Sequence, residues 1–132
     1  MSAASALLQA IHQRLSDDAA LSAAIGPDGI RDRLLPRATL PCIVFGDMET
    51  RDFSTSTESG EEHFLTLEIW SDGEGRRLTQ QISGLVRGLL HDAALTMPGV
   101  SLVSFLHVGM KSRREPKTKF YVAEMRFRAV TE

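Results

Sequence analysis

Residues 63–91, "HFLTLEIWSDGEGRRLTQQISGLVRGLLH", decide the fold. Leu65, Leu67 and Ile69 alternate with Phe64, Thr66, Glu68 and Trp70, the period of a strand. Two glycines follow, and then Leu78, Ile82, Leu85 and Leu89 recur at intervals of four, three and four. That spacing predicts a helix from about Arg76 to His91 with one apolar face. A strand, a glycine turn and a helix start are also where nucleotide-binding folds hold phosphate. A phosphate loop, however, needs Lys and Ser/Thr directly after its last glycine; here Arg76 and Arg77 follow Gly75, and Glu74 would stand where phosphate charge gathers. A dinucleotide fingerprint would need a third glycine. A calcium loop fails as well, because Arg76 stands where the oxygen ligand after Asp72 and Glu74 belongs. The stretch therefore reads as a turn in which Asp72 supports the helix N-terminus and Trp70 packs.

Working outward, Leu7, Leu8, Ile11 and Leu15 predict an amphipathic helix over residues 3–15, capped by Ser2 or Ser5. "SDDAALSAAI" predicts a second, short helix that Gly26-Pro27 stops, with Asp17-Asp18 at its start. "GPDGIRDRLLPRATLP" (26–41) reads as a connecting loop, and "CIVFGDMETRDF" (42–53) as the first strand. The wholly polar "STSTESGEEH" (54–63) reads as a long hairpin loop. "VSLVSFLHVGMKS" and "KFYVAEMRFRAVTE" alternate again, the latter with Tyr121, Ala123, Met125, Phe127 and Ala129 on one side, and pair across the basic loop "SRREPKT". The order α, short α, β, β, α, β, β predicts an α+β fold: a two-layer sandwich, with a four-stranded antiparallel sheet and helices on one face. Residues 1–132 form a single domain on this reading. Apolar residues on both faces of the second and third strands point to burial against another subunit.

Apolar residues make up 42% and charged residues 24% of the 132, so the composition is that of a globular domain. No apolar run approaches the roughly 20 residues of a membrane helix, and no basic leader marks a signal peptide. The single Cys42, in "PCIVF", reads as a buried thiol. His12, His63, His91 and His107 are scattered without metal-ligand spacing, no serine sits in a G-x-S-x-G elbow, and nothing in the chain argues for a catalytic, cofactor or metal site. The net charge of −2 conceals a segregation. From Asp47 to Glu74 nine acids face one base, Arg51; from Lys111 to Arg128 seven bases face Glu115 and Glu124. The basic hairpin could contact phosphates, but it has no aromatic residue before Phe120 and Tyr121. Opposite charge blocks on one chain suit identical subunits that associate head to tail, which gives a ring when the rotation closes; two solvated surface loops of opposite sign fit the charges equally.

The succession of "ALLQAIHQRLSDDAALSAAIG", "IRDRLLPRATLPCIVFG", "LEIWSDGEG", "ISGLVRGLLHDAAL" and "RREPKTKFYVAEMRFRAVTE" resembles the tail completion, or tail terminator, proteins of long-tailed phages, including their versions in gene transfer agents. The resemblance implies a non-enzymatic virion protein, made in the bacterial host cytoplasm. Its expected assembly is a hexameric ring that caps the tail tube and meets the head connector, with DNA passing through the lumen without specific binding. Expected partners are further copies of the chain, the tube protein and the connector or stopper. Another neck, connector or tube subunit is the alternative within such a particle, and a small cytosolic binding module lies outside it. The polarity and opposite charge of residues 50–62 and 111–119 make Asp52, Glu58, Glu61, Glu62, Lys111, Arg113, Arg114, Lys117 and Lys119 the candidate interface or lumen residues.

Overall fold

The computed structural model describes residues 2–37, 39–73 and 75–132. The expectations for Glu74 lie outside these. Helices α1 (Ala3–Ser16) and α2 (Ala19–Ile25) precede strands β1 (Ile30–Arg31), β2 (Cys42–Asp52) and β3 (Glu61–Ser71); helix α3 (Arg77–Leu90) and strands β4 (Leu102–Arg114) and β5 (Tyr121–Thr131) complete the chain. Ser2 caps α1 by accepting the Ser5 N–H at 3.1 Å, and Asp18 caps α2 by accepting that of Leu21 at 2.9 Å.

The sheet runs β1-β2-β3-β5-β4. It has five strands rather than the expected four, because Ile30 and Arg31 pair in parallel with Ile43 and Val44 of β2. Two residues of ladder leave no alternating pattern in the sequence. The four long strands are antiparallel as expected, in two hairpins that meet where β3 pairs with β5 along its whole length, from Glu61 opposite Thr131 to Ser71 opposite Tyr121.

One sheet face carries Ile43, Leu65, Leu67, Ile69, Ala123, Met125, Phe127 and Ala129 into a core with Leu7, Ile11 and Leu15 of α1 and Ile82, Val86 and Leu90 of α3. Phe105 and Phe127 stack within it, ring centroids 5.3 Å apart. Helix α3 is rotated from its expected face. Its buried line is Thr79, Ile82, Ser83, Val86 and Leu90, while Leu78 and Leu89 are half-buried and Leu85 is exposed. The polar members are tolerated inside because each hydroxyl bonds to the helix's own backbone: Thr79 Oγ1 to the Arg76 carbonyl at 2.9 Å, Ser83 Oγ to that of Thr79 at 2.7 Å. Among the described residues the expected Asp72 cap is not formed: Arg76 is the N-cap of α3, and no side-chain hydrogen bond caps the helix there.

The other sheet face has no helix. At one end a second apolar cluster of Cys42, Val44, Trp70 and Val122 lies beneath Leu34 and Leu40 of the connecting loop and Phe120. Trp70 is thus the packing residue its position suggested, and its indole N–H donates to Glu68 at 3.0 Å. Cys42 is fully buried, which pushes its thiol pKa up.

Candidate functional site

The two charged hairpins sit at opposite ends of the sheet. Asp52 pairs with Glu61, and Glu61 with Thr131, at one end; Ser71, Tyr121 and Arg114 are neighbours at the other. Ten residue steps along β3 separate the two ends, about 34 Å at strand rise.

At the acidic end, β2 and β3 are joined through a loop held by its own hydrogen bonds. Phe53 N–H donates to the Gly60 carbonyl and Thr55 N–H to that of Glu58, both at 2.8 Å. Asp52 accepts the hydroxyl of Ser54 at 2.6 Å and its N–H at 3.2 Å, which holds the carboxyl below the usual carboxylate range. Gly60 suits this close approach, since a Cβ would stand 3.2 Å from the carbonyl oxygens of Phe53 and Thr131. Asp52 and Glu58 are exposed and Glu61 half-buried, and among the described residues none of the three forms an ion pair. The polar stretch is shorter as a loop than expected, because β3 already begins at Glu61.

The basic residues divide more sharply. Lys111 belongs to β4 as its strand segment predicted, and Arg113 and Arg114 also belong to β4 and not to the hairpin loop "SRREPKT" where the sequence placed them. Arg113 is taken by Glu124 on the neighbouring strand at 3.2 Å. Lys111 is exposed opposite Glu124. Arg114 lies over the Tyr121 ring at 6.0 Å, and Arg76 approaches the same ring at 5.6 Å. Lys117 and Lys119 project from the turn. That turn is tied by Glu115, whose carboxylate accepts both the N–H and the hydroxyl of Thr118 at 2.8 Å; these bonds lower its pKa.

On the helix-free face the two charge blocks partly cancel. Because β3 adjoins β5, Glu62 meets Arg128 at 2.6 Å, with side chains only 14% and 31% exposed. Arg51 pairs with Glu49 at 2.9 Å and lies 5.3 Å from the centre of the Phe64 ring. Between the bulges of β2 and β4 there is a cleft of about 360 Å³ lined by Phe64, Thr66, Val108 and Arg126 among others. Asp47 and Glu49 also line it, and among the described residues no hydrogen bond joins the Thr66 hydroxyl to either carboxylate.

Two of the four histidines, His63 and His107, serve packing, while His12 and His91 are exposed. His63 is fully buried, its Nδ1 2.9 Å from Thr50 Oγ1 and its Nε2 3.0 Å from Thr131 Oγ1; burial lowers its pKa. His107 packs edge-on against Phe127, and its pKa is lowered by burial and then by Arg87 and His91. Among the described residues no group of three or more His, Cys, Asp or Glu could hold a metal ion, and no helix is long and apolar enough to cross a membrane. The sequence reading missed Arg76, Tyr121 and Arg128. Arg76 lies far from Tyr121 in the chain, and only the β3–β5 register brings the end of β3 beside Tyr121.

No curated protein matches the chain significantly. Among solved structures, a chain from the "Virion of native gene transfer agent (GTA) particle" is similar at a TM-score of 0.89 and 26% identity, covering 99% of this chain and 98% of that one. The family model "Tail completion protein gp17" matches residues 9–132. The chain belongs to the tail completion protein gp17 family.

Proposed function

We propose that the protein is a structural component of a phage or gene transfer agent tail: the terminator that caps the tail tube as a hexameric ring and presents a surface to the head connector. The observation that carries this is the family match over residues 9–132, supported by the end-to-end likeness to a chain of a gene transfer agent virion. His63, fully buried with both ring nitrogens bonded to threonines, and the cleft, in which no hydrogen bond joins Thr66 to Asp47 or Glu49 among the described residues, suit a structural role. DNA passes through the ring's lumen unbound on this reading, because a wall carrying unpaired carboxylates repels phosphate whereas fixed cations hold it.

Mixing the purified protein with the tail-tube subunit and imaging by negative stain tests the proposal. Tubes of limited length with a ring at one end are expected. Tubes that keep growing with bare ends, or incorporation of the protein along the tube wall, would refute it.

A further inference from the structure

We propose that the acidic hairpin tip of one copy docks onto the basic end of the next, Glu58 and Glu61 against Arg114, Lys117 and Lys119 around Tyr121. The inference rests on the ring reading above and names its contact.

Three observations point to a second copy as the occupant. The first is complementarity of unpaired charge. Three ion pairs occur among the described residues, and none involves Asp52, Glu58, Glu61, Arg114, Lys117 or Lys119. Among the described carboxylates at the basic end, Glu115 is turned onto Thr118, while Asp72 is exposed. The second is preorganisation. The acidic tip is fixed by the Phe53–Gly60, Thr55–Glu58 and Ser54–Gly60 hydrogen bonds, and the basic end by the Glu115 turn and by two guanidiniums over one ring. Neither backbone turn must be ordered on contact, which lowers the ordering cost of association to that of the side chains.

The third is separation. Tip and basic end are about 34 Å apart along the same strands, so one chain cannot satisfy itself. The contact uses two different patches and is therefore heterologous, the kind that builds a ring when its rotation closes. Opposite charges held apart on a rigid subunit also favour one orientation of approach, because like ends repel.

The test reverses each end while leaving the turn caps Asp52 and Glu115 intact. Glu58→Lys with Glu61→Lys gives a chain with two basic ends; Lys117→Glu with Lys119→Glu gives one with two acidic ends. Copy–copy association is measured by sedimentation at low ionic strength and on tube ends by negative stain, with circular dichroism checking the fold. Each reversal alone should weaken association at least about tenfold. An equimolar mixture of the two, and a chain carrying all four changes, should regain it. Single reversals that associate like wild type, or a mixture and a full reversal that stay as weak as the singles, overturn the proposal.

A second measurement does not depend on charge energetics. Ser59→Cys and Thr118→Cys in one chain should give an oxidised ladder of linked copies, whereas the two single variants mixed should give dimers. Absence of both overturns the contact. The terminator reading fails separately, when wild-type protein leaves tube ends bare.

Discussion

Acidification from about pH 7.5 to about pH 5.5 is expected to destabilise the protein through His63. Both ring nitrogens are engaged by Thr50 and Thr131, the residue is fully buried, and burial lowers its pKa against the weaker opposing effect of Glu61. In the unfolded chain the imidazole titrates near its ordinary value of about 6.5. Below that pH the unfolded state takes up a proton that the folded state refuses, so stability falls as pH falls. The contribution is complete above about 6.5 and is lost progressively beneath it, at no more than about 1.4 kcal/mol per pH unit for one histidine. His107 acts in the same direction, its pKa lowered first by burial and then by Arg87 and His91. Asp52 and Glu115 have depressed carboxyl pKa values, so their stabilisation disappears only at lower pH and does not enter this window. Urea unfolding followed by the fluorescence of Trp70, the single tryptophan, measures the effect at each pH. His63→Gln, which cannot take up the proton, should flatten the slope by up to about 1.4 kcal/mol per pH unit. An unfolding free energy equal at both pH values in the wild-type protein, or a slope unchanged in His63→Gln, would show that the buried imidazole does not hold the hairpin bases together as neutral His.

Gly29→Ala should destabilise by about 1–3 kcal/mol through overpacking, because the new Cβ would be driven into the backbone carbonyl and Cβ of Ile25, while Gly84→Ala, with nothing near its Cβ on the exposed side of α3, should stabilise by about 0.5–1 kcal/mol. Both are read from thermal or denaturant midpoints. Arg128→Ala should cost about 1–3 kcal/mol by leaving the largely buried Glu62 without its partner, and Arg51→Ala should leave the midpoint unchanged, since its pair with Glu49 is about 60% exposed. Equal losses for the two arginines would contradict the assignment of Glu62–Arg128 as the pair that matters.

The strands were legible in the sequence because one sheet face is buried: Leu65, Leu67 and Ile69, and Ala123 to Ala129 at every second residue, follow the pleat. The ends of α1 and α2 were legible because Ser2 and Asp18 act locally as caps. The face of α3 was not, since Thr79 and Ser83 hide their hydroxyls in the helix backbone and so enter the core as if apolar, displacing Leu85 outward. For the candidate site, the sign of each hairpin could be read directly, and the pairing of its members could not. Glu62 and Arg128 are 66 residues apart, and their contact depends on which hairpin edges adjoin. The same long-range register decides that Arg113 is neutralised while Arg114 is left to stack on Tyr121.

Strand β4, the longest of the sheet, forms one outer edge, and its register is broken between Leu102 and Ser104 and again between His107 and Gly109. Val103 and Val108, exposed at these breaks, would otherwise be an adhesive strip along an unpaired edge. Each break tilts the donors and acceptors on either side of it, so that no long run of edge groups faces outward in a single plane. Strand addition, the most accessible route to unlimited polymer for an open sheet, is thereby interrupted at the place where it would start. A subunit whose proposed task is to end a polymer carries an edge that does not begin one.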